Sequence, residues 1–293
     1  MARLTRAISA DGSVMAMAID STDIAARIEE IHHTSAIVTA ALGRLATAAS
    51  MMGVMLKGEG DSVTVRVDAD GPAGVLIAVA DSRGFVKAYV ENPVVELPLN
   101  ARGKLDVAGA VGRNGYLRVI KDLGLKEPYS GQVPLVSGEL AEDVTQYYAV
   151  SEQTPTVCGL GVLVNPDLTV RAAGGFLVQL LPFADDTAID QLERNVKAIP
   201  PASAMIDQGM QPAEICEKLL EGLSPQILDD YLPAYRCDCS RERVERAVIS
   251  LGKAQLDQLI EEDHGAELSC HFCGKRYAFS EQELRQIRDA AAR

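Results

Sequence analysis

The sequence has few basic side chains for its length. Its 28 Lys and Arg residues stand against 41 Asp and Glu residues, which gives a formal net charge of −13 over 293 residues. A DNA or RNA partner would be repelled by this charge before it reached a local site. We therefore expect no nucleic-acid partner.

The sequence also lacks the apolar leader of a secreted protein. Met1 to Ala10 carry Arg3 and Arg6 but no apolar run with a cleavage site, so a cytoplasmic location is expected. The stretch from Ser35 to Leu56 is long enough to cross a membrane. Arg44 lies near its middle, however, and no second span follows. We predict a helix buried between protein layers and no membrane association.

Catalytic motifs are scarce. Of the four histidines, His32 and His33 are adjacent on a predicted helix and the other two lie near the C-terminus. No Gly-x-Gly-x-x-Gly opens a helix after a strand, and no phosphate-binding P-loop is present. A cluster of acidic residues at positions 139, 142 and 143 is typical of a helix start. We predict that the protein is not an enzyme and has no catalytic residues.

The regular elements of segment 1–184 predict an α+β domain. Leu4 to Asp20 reads as a hairpin around Asp11 and Gly12, and Asp23 to His32 reads as a helix. Val-rich runs separated by turn residues then predict an antiparallel meander. The runs of the meander are at 62–68, 74–80 and 85–91. Strands at 116–121, 157–164 and 170–181 and a helix at 139–151 are predicted after them.

The composition changes after Pro182. Positions 185–236 contain ten acidic and four basic residues, and Pro200 and Pro201 interrupt their helical pattern. We predict an α+β core domain at 1–184, a helical linker at 185–236 and a small domain at 237–293. The linker carries apolar stripes, which either pack as in any linker or become a contact surface: Ile189, Leu192 and Val196, then Ile215, Leu219 and Leu220.

Four of the six cysteines form two close pairs. Cys237 and Cys239 are separated by one residue, Cys270 and Cys273 by two, and 31 positions separate Cys239 from Cys270. Four thiolates so spaced suit a tetrahedral zinc ion. A unit of fewer than about 60 residues also needs a stabilising cross-link such as a metal ion, because it buries little apolar surface.

Other interpretations of the cysteine-rich region are weaker. His271 is not needed as a ligand because four cysteines fill a tetrahedral shell. A thiol-disulfide oxidoreductase would need a thioredoxin-like setting, and a nucleic-acid-binding zinc ribbon would need a basic face. The isolated Cys158 and Cys216 are expected to be packed as small apolar residues, and the sequence assigns them no role. Oxidants attack thiolates, so the four paired cysteines could also act as a redox switch.

The cysteine pattern and two upstream segments resemble the 33-kilodalton chaperonin family of redox-regulated heat-shock holdases. The segments are EPYSGQVPLVSGELAEDVTQYYAVSEQTPT at 127–156 and GGFLVQLLP at 174–182. The resemblance covers essentially the whole chain. It implies an N-terminal α+β domain with antiparallel sheets and a helix buried between them, a helical connector and a small four-cysteine zinc domain.

The resemblance also implies a mechanism. Zinc would be held by the four reduced cysteines in an inactive form. Oxidative stress would release it and form the disulfides Cys237–Cys239 and Cys270–Cys273. The zinc domain and linker would then unfold, and the protein would bind unfolding clients as a homodimer. Domain 1–184 would bind clients and dimerise, and a separate ATP-dependent 70-kilodalton heat-shock system would receive them. Neither the client-contacting residues nor the dimer interface can be read from the sequence.

Overall fold

A computed structural model describes residues 1–182 and 184–291. These residues form two compact units, Met1–Arg236 and Cys237–Arg293. Antiparallel sheets and helices make up the first unit, and a smaller α+β arrangement makes up the second, as the α+β prediction required.

The strands and helices are numbered in chain order. The strands are β1 (Arg3–Ile8), β2 (Val14–Asp20), β3 (Ser62–Ala69), β4 (Leu76–Asp81), β5 (Val86–Val90), β6 (Gly115–Asp122), β7 (Tyr129–Pro134), β8 (Thr156–Val164), β9 (Val170–Leu180), β10 (Gln226–Tyr231), β11 (Gly265–Ser269) and β12 (Arg276–Ser280). The helices are α1 (Thr22–His32), α2 (Ala36–Gly53), α3 (Val107–Val111), α4 (Ala141–Val150), α5 (Asp186–Ala198), α6 (Ala202–Asp207), α7 (Pro212–Leu219), α8 (Arg241–Ser250), α9 (Lys253–Glu261) and α10 (Glu281–Ala291).

Two five-stranded antiparallel sheets organise the first unit. The first sheet has the order β10-β1-β2-β9-β8 and contains the predicted hairpin, in which Leu4 pairs with Ile19. The second sheet has the order β5-β4-β3-β6-β7, so the predicted meander forms its first three strands. Val63, Val65 and Val67 alternate towards the interior because successive side chains of a strand point to opposite faces.

Helix α2 packs against strands of both sheets, which confirms the predicted buried helix. By length and composition this helix could cross a membrane, but 89% of its residues are buried inside the unit, as in the core helix of a soluble protein. Its one charged residue, Arg44, forms an ion pair with Glu139 at 2.6 Å. A Cβ atom at Gly53 would lie 2.4 Å from the Asp81 carbonyl oxygen, so the helix end requires a glycine to approach the sheet.

The segment 185–236 lies within the first unit and covers the face of the first sheet that α2 does not occupy. Its apolar side chains form a second core with residues of β1, β2 and β9. The strand β10 follows, which the helical pattern did not predict. It pairs with β1 in antiparallel fashion, with a shift in register between Arg6 and Ala7. The segment is therefore packed as part of the unit, while its role as a functional linker stays a prediction.

The second unit is small. Helices α8, α9 and α10 and the hairpin of β11 and β12 enclose seven buried apolar residues: Val248, Leu256, Ile260, Tyr277, Phe279, Leu284 and Ile287. Glu283 and Ser280 form a capping box at the start of α10, with the Glu283 side chain accepting the Ser280 N–H at 2.8 Å. His264 and Gly265, residue types that often cap helices, lie beyond the end of α9. The helix ends at Glu261 and is capped by Glu262, because Gly265 already begins β11.

Candidate metal centre

The first cysteine pair lies at the start of helix α8. Ser240 caps this helix, and its hydroxyl accepts the N–H of Arg243 at 3.3 Å. Arg243 in turn forms an ion pair with Asp238, the residue between Cys237 and Cys239. A serine cap and a charged contact thus anchor the Cys-Asp-Cys segment to the helix that follows it.

The second pair lies in the turn between β11 and β12. The Cys270 N–H donates to the Lys275 carbonyl at 2.9 Å, and the Gly274 N–H donates to the Cys270 carbonyl at 2.8 Å. Gly274 has a φ of 69°, a left-handed conformation that glycine adopts without strain. This tight turn brings both sulfurs of the Cys-x-x-Cys segment to one site.

The four cysteine sulfurs converge. The Sγ atom of Cys237 lies 3.6 Å from that of Cys270, and the Sγ of Cys239 lies 3.4 Å from that of Cys273. All four lie within 4.8 Å of one another. Zinc–sulfur bonds of about 2.3 Å place the sulfurs of a tetrahedral site about 3.8 Å apart, so the cluster fits such an ion. Among the described residues, these four form the cluster that could hold a metal ion.

Tyr277 adds a polar contact that the spacing of the cysteines does not predict. Its hydroxyl donates to the Sγ of Cys239 at 3.1 Å. Burial raises the pKa of Cys239, but hydrogen bonds from Tyr277 and the other cysteines outweigh it and lower that pKa to about 7. Burial raises the pKa of Cys237 and of Cys273. The arrangement therefore stabilises a thiolate first at Cys239. Strand alternation placed Tyr277 towards the interior, but no sequence signal indicated its sulfur partner.

The remaining cysteines and histidines lie elsewhere. Cys158 and Cys216 are buried in the two cores of the first unit, and burial raises the pKa of each thiol to about 12. His271 is exposed and lies outside the four-sulfur cluster. The Nδ1 atom of His264 lies 3.5 Å from a carboxylate oxygen of Glu281. The structure thus brings the four predicted ligands together, and the two buried thiols are not part of their cluster.

Comparisons with known proteins identify the family. A family model described as Hsp33 protein matches residues 2–280. The chain belongs to the Hsp33 family. Hsp33 proteins are chaperones without an enzymatic activity, so the prediction of a non-enzyme is confirmed and the chain has a chaperone role.

Similar Hsp33 proteins span nearly the full length of the chain. The 33 kDa chaperonin of Acetivibrio thermocellus is 49% identical over 97% of this chain and 96% of its own. That of Bacillus subtilis is 47% identical over 99% of each chain. The crystal structure of the Thermotoga maritima 33 kDa chaperonin superposes with a TM-score of 0.91 at 35% identity, over 99% of this chain and 98% of that one. The resemblance noted in the sequence is therefore confirmed.

Proposed function

We propose that the protein is a redox-regulated holdase, whose four-cysteine cluster controls whether it binds unfolding proteins. The observation that carries the proposal is the convergence of Cys237, Cys239, Cys270 and Cys273 within 4.8 Å in a chain of a chaperone family. An all-sulfur site suits zinc, because soft thiolates select this metal in preference to hard cations such as magnesium.

In the reduced state the four cysteines would hold one zinc ion per chain. Zinc supplies a link between the start of α8 and the β11–β12 turn, and it keeps the sulfurs as thiolates. Tyr277 would orient the sulfur of Cys239 through its hydroxyl. The small core of this unit makes the link important, since seven buried apolar side chains provide little stability without it.

Oxidation would convert the cluster into the disulfides Cys237–Cys239 and Cys270–Cys273. Each disulfide forms when two thiolates together lose two electrons to one peroxide molecule. The peroxide takes up two protons and leaves as two water molecules. Two peroxide molecules thus oxidise all four cysteines, and the metal is released because a disulfide sulfur no longer carries the thiolate charge.

Loss of the metal would unfold 237–293 and loosen the linker, 185–236, from the sheet that it covers. The exposed sheet face would be apolar, since it includes Val14, Phe176 and Val178. Such a surface suits the apolar segments of an unfolding protein. The ten acidic residues of the linker favour solubility in the opened form. In this proposal 1–184 also carries the dimer contacts.

The same proposal includes the location and the partners of the protein. The chain would act in the cytoplasm as a homodimer when oxidised, without nucleic acid, membrane or ATP of its own. It would hold clients until an ATP-dependent 70-kilodalton heat-shock system refolds them.

The test is to oxidise the full chain with peroxide and to follow zinc release, disulfide pairing and thiol accessibility. We expect one zinc per chain to be released and the two disulfides named above to form. Cys216, a buried residue of α7 that packs into the second core, should then react with iodoacetamide, while Cys158 in the other core stays protected. Cross-paired disulfides would contradict the pairing. Protection of both thiols after complete oxidation would contradict the release of the linker.

A further inference from the structure

The outer face of the second sheet carries two arginines in an unfavourable arrangement. Arg66 of β3 and Arg118 of β6 are directly opposite each other in the register. Their neighbours along the strands, such as Val65 and Val119, are buried towards the core, so both arginines point to the outer face. Like charges placed directly opposite on neighbouring strands repel each other. The sheet therefore places two arginine side chains on the same face of neighbouring strands, which costs electrostatic repulsion.

The partners of the two arginines only partly offset this repulsion. Arg66 donates to the Asp68 carboxylate at 2.8 Å. The Nε of Arg118 donates at 2.9 Å to the amide oxygen of Gln132, which is uncharged. Among the residues that the structure describes, one carboxylate is thus bonded to this pair. Asp68 and Gln132 fix the direction of the Arg66 and Arg118 guanidinium groups, and because Gln132 is uncharged the pair keeps a net positive charge.

The arginine pair lines a groove of about 620 Å³. Tyr116, whose side chain is half exposed, borders the same groove, as do the amide side chains of Asn114 and Gln132. The volume is that of a pocket for a small organic molecule. The lining offers cations for an oxyanion, an aromatic face for a planar ring and amides for polar ring substituents.

We propose that this groove, which we call the Arg66–Arg118 groove, binds a small phosphorylated ligand that carries a planar ring. The phosphate lies between the two guanidinium groups, since arginine pairs with phosphate through two parallel hydrogen bonds. The ring stacks on Tyr116. A nucleic-acid chain does not fit as well, because two arginines beside Asp68 form a small cationic site and the whole chain has a net charge of −13.

Calorimetric titration of the full-length reduced protein at low salt tests this proposal. The probes are inorganic phosphate, adenosine monophosphate and adenosine, the last of which has the ring without the phosphate. We expect phosphate and the monophosphate to bind and adenosine to bind far more weakly. Equal binding of adenosine and its monophosphate, or no binding of either phosphate compound, would overturn the proposal.

Variants of matched charge locate the site. Arg118→Gln and Arg66→Gln should each weaken binding of the monophosphate by about tenfold, which corresponds to one lost charge-assisted contact. Arg83→Gln is the control, because Arg83 is another exposed arginine, in the turn after β4, and is bonded to an aspartate two residues away, Asp81. Equal weakening by all three variants would reduce the effect to overall charge and overturn the proposal. The melting temperature of each unliganded variant verifies that it is folded.

The variant Tyr116→Ala distinguishes the contribution of the ring to binding from that of the phosphate. It should weaken the monophosphate by about tenfold through the loss of one stacking contact, while inorganic phosphate binds as before. An unchanged affinity for the monophosphate would overturn the assignment of Tyr116 to the ring.

Discussion

Met1–Arg236 contains two apolar cores built around two five-stranded sheets, whereas Cys237–Arg293 has one small core beside four converging sulfurs. In the first unit, Leu42, Leu45 and Met51 of α2 are fully buried against surrounding strands. In the second unit most helical residues are exposed, and α8 buries only Val248. The stability of the first unit therefore comes from burial, while in our proposal that of the second depends on the metal ion that its cysteines hold.

This difference gives the two units different responses to the same oxidant. Burial raises the pKa of Cys158 and of Cys216 to about 12, so these thiols are protonated and protected in the first unit. The four cysteines of the second unit are only half-buried. In our proposal an oxidant thus acts first on the unit that burial stabilises least.

Removal of the metal ligands should have the largest effect. Cys270→Ser together with Cys273→Ser should abolish zinc binding and unfold 237–293, because structural zinc contributes on the order of 10 kcal/mol to such a unit. Hydrogen exchange should show lost protection in 237–291 and native protection in α2. Cys158→Ala is the control and should retain one zinc per chain. A folded C-terminal unit in the double variant would contradict the dependence on metal.

A core substitution in the first unit should have the opposite pattern. Leu45→Ala removes a fully buried side chain of α2 and should lower the free energy of unfolding of this unit by about 2–5 kcal/mol. Chemical denaturation measures the loss, and zinc analysis should find an unchanged metal content. Leu251→Ala, which truncates an exposed leucine in the other unit, is the matched control and should leave the first unit unaffected.

The edge of the first sheet should respond more weakly. Asp229→Asn weakens the ion pair through which Arg6 of β1 holds β10, where the Arg6 Nε donates to the Asp229 carboxylate at 2.6 Å. Because this pair is partly exposed, we expect a loss of about 1 kcal/mol. Hydrogen exchange of 226–231 should accelerate, while exchange of β9 stays the same. Equal acceleration in both strands would mean that β10 does not open separately.

The smallest expected effect is a dependence of stability on alkaline pH. An unfolded thiol titrates near pH 8.5, whereas burial keeps the folded Cys216 thiol protonated up to about pH 12. The unfolded state therefore loses protons first, and stability should fall by about 0.8 kcal/mol at pH 9 for this thiol. Cys216→Ala should reduce the slope of stability against pH above 8.5. An unchanged slope would show that the thiol is not buried as described.

The sequence predicted those parts of the fold that local patterns determine. Asp11 and Gly12 predicted the first hairpin, and the apolar run around Arg44 predicted α2. Strand β10 was missed because QILDDY has no alternating pattern and depends on pairing with β1, which lies at the other end of the first unit's chain. Strand β7 and the short helix α3 were missed because turn-forming residues dominate their surroundings.

The candidate metal centre shows the same limit. The spacing of the four cysteines predicted the ligands, since close pairs at this distance are typical of zinc sites. The contact from Tyr277 to Cys239 could not be predicted, because it depends on the register of β12 against β11. Likewise, Glu139 was assigned to a helix start, whereas its main contact is the ion pair with Arg44 of α2.

The most direct test of the central proposal, that redox state controls chaperone activity, is light scattering by a thermally unfolding client in the presence of this protein. We expect the peroxide-oxidised, zinc-free protein to suppress client aggregation at equimolar amounts, and the reduced, zinc-loaded protein to leave it unchanged. Equal suppression by both forms would contradict redox control of the chaperone.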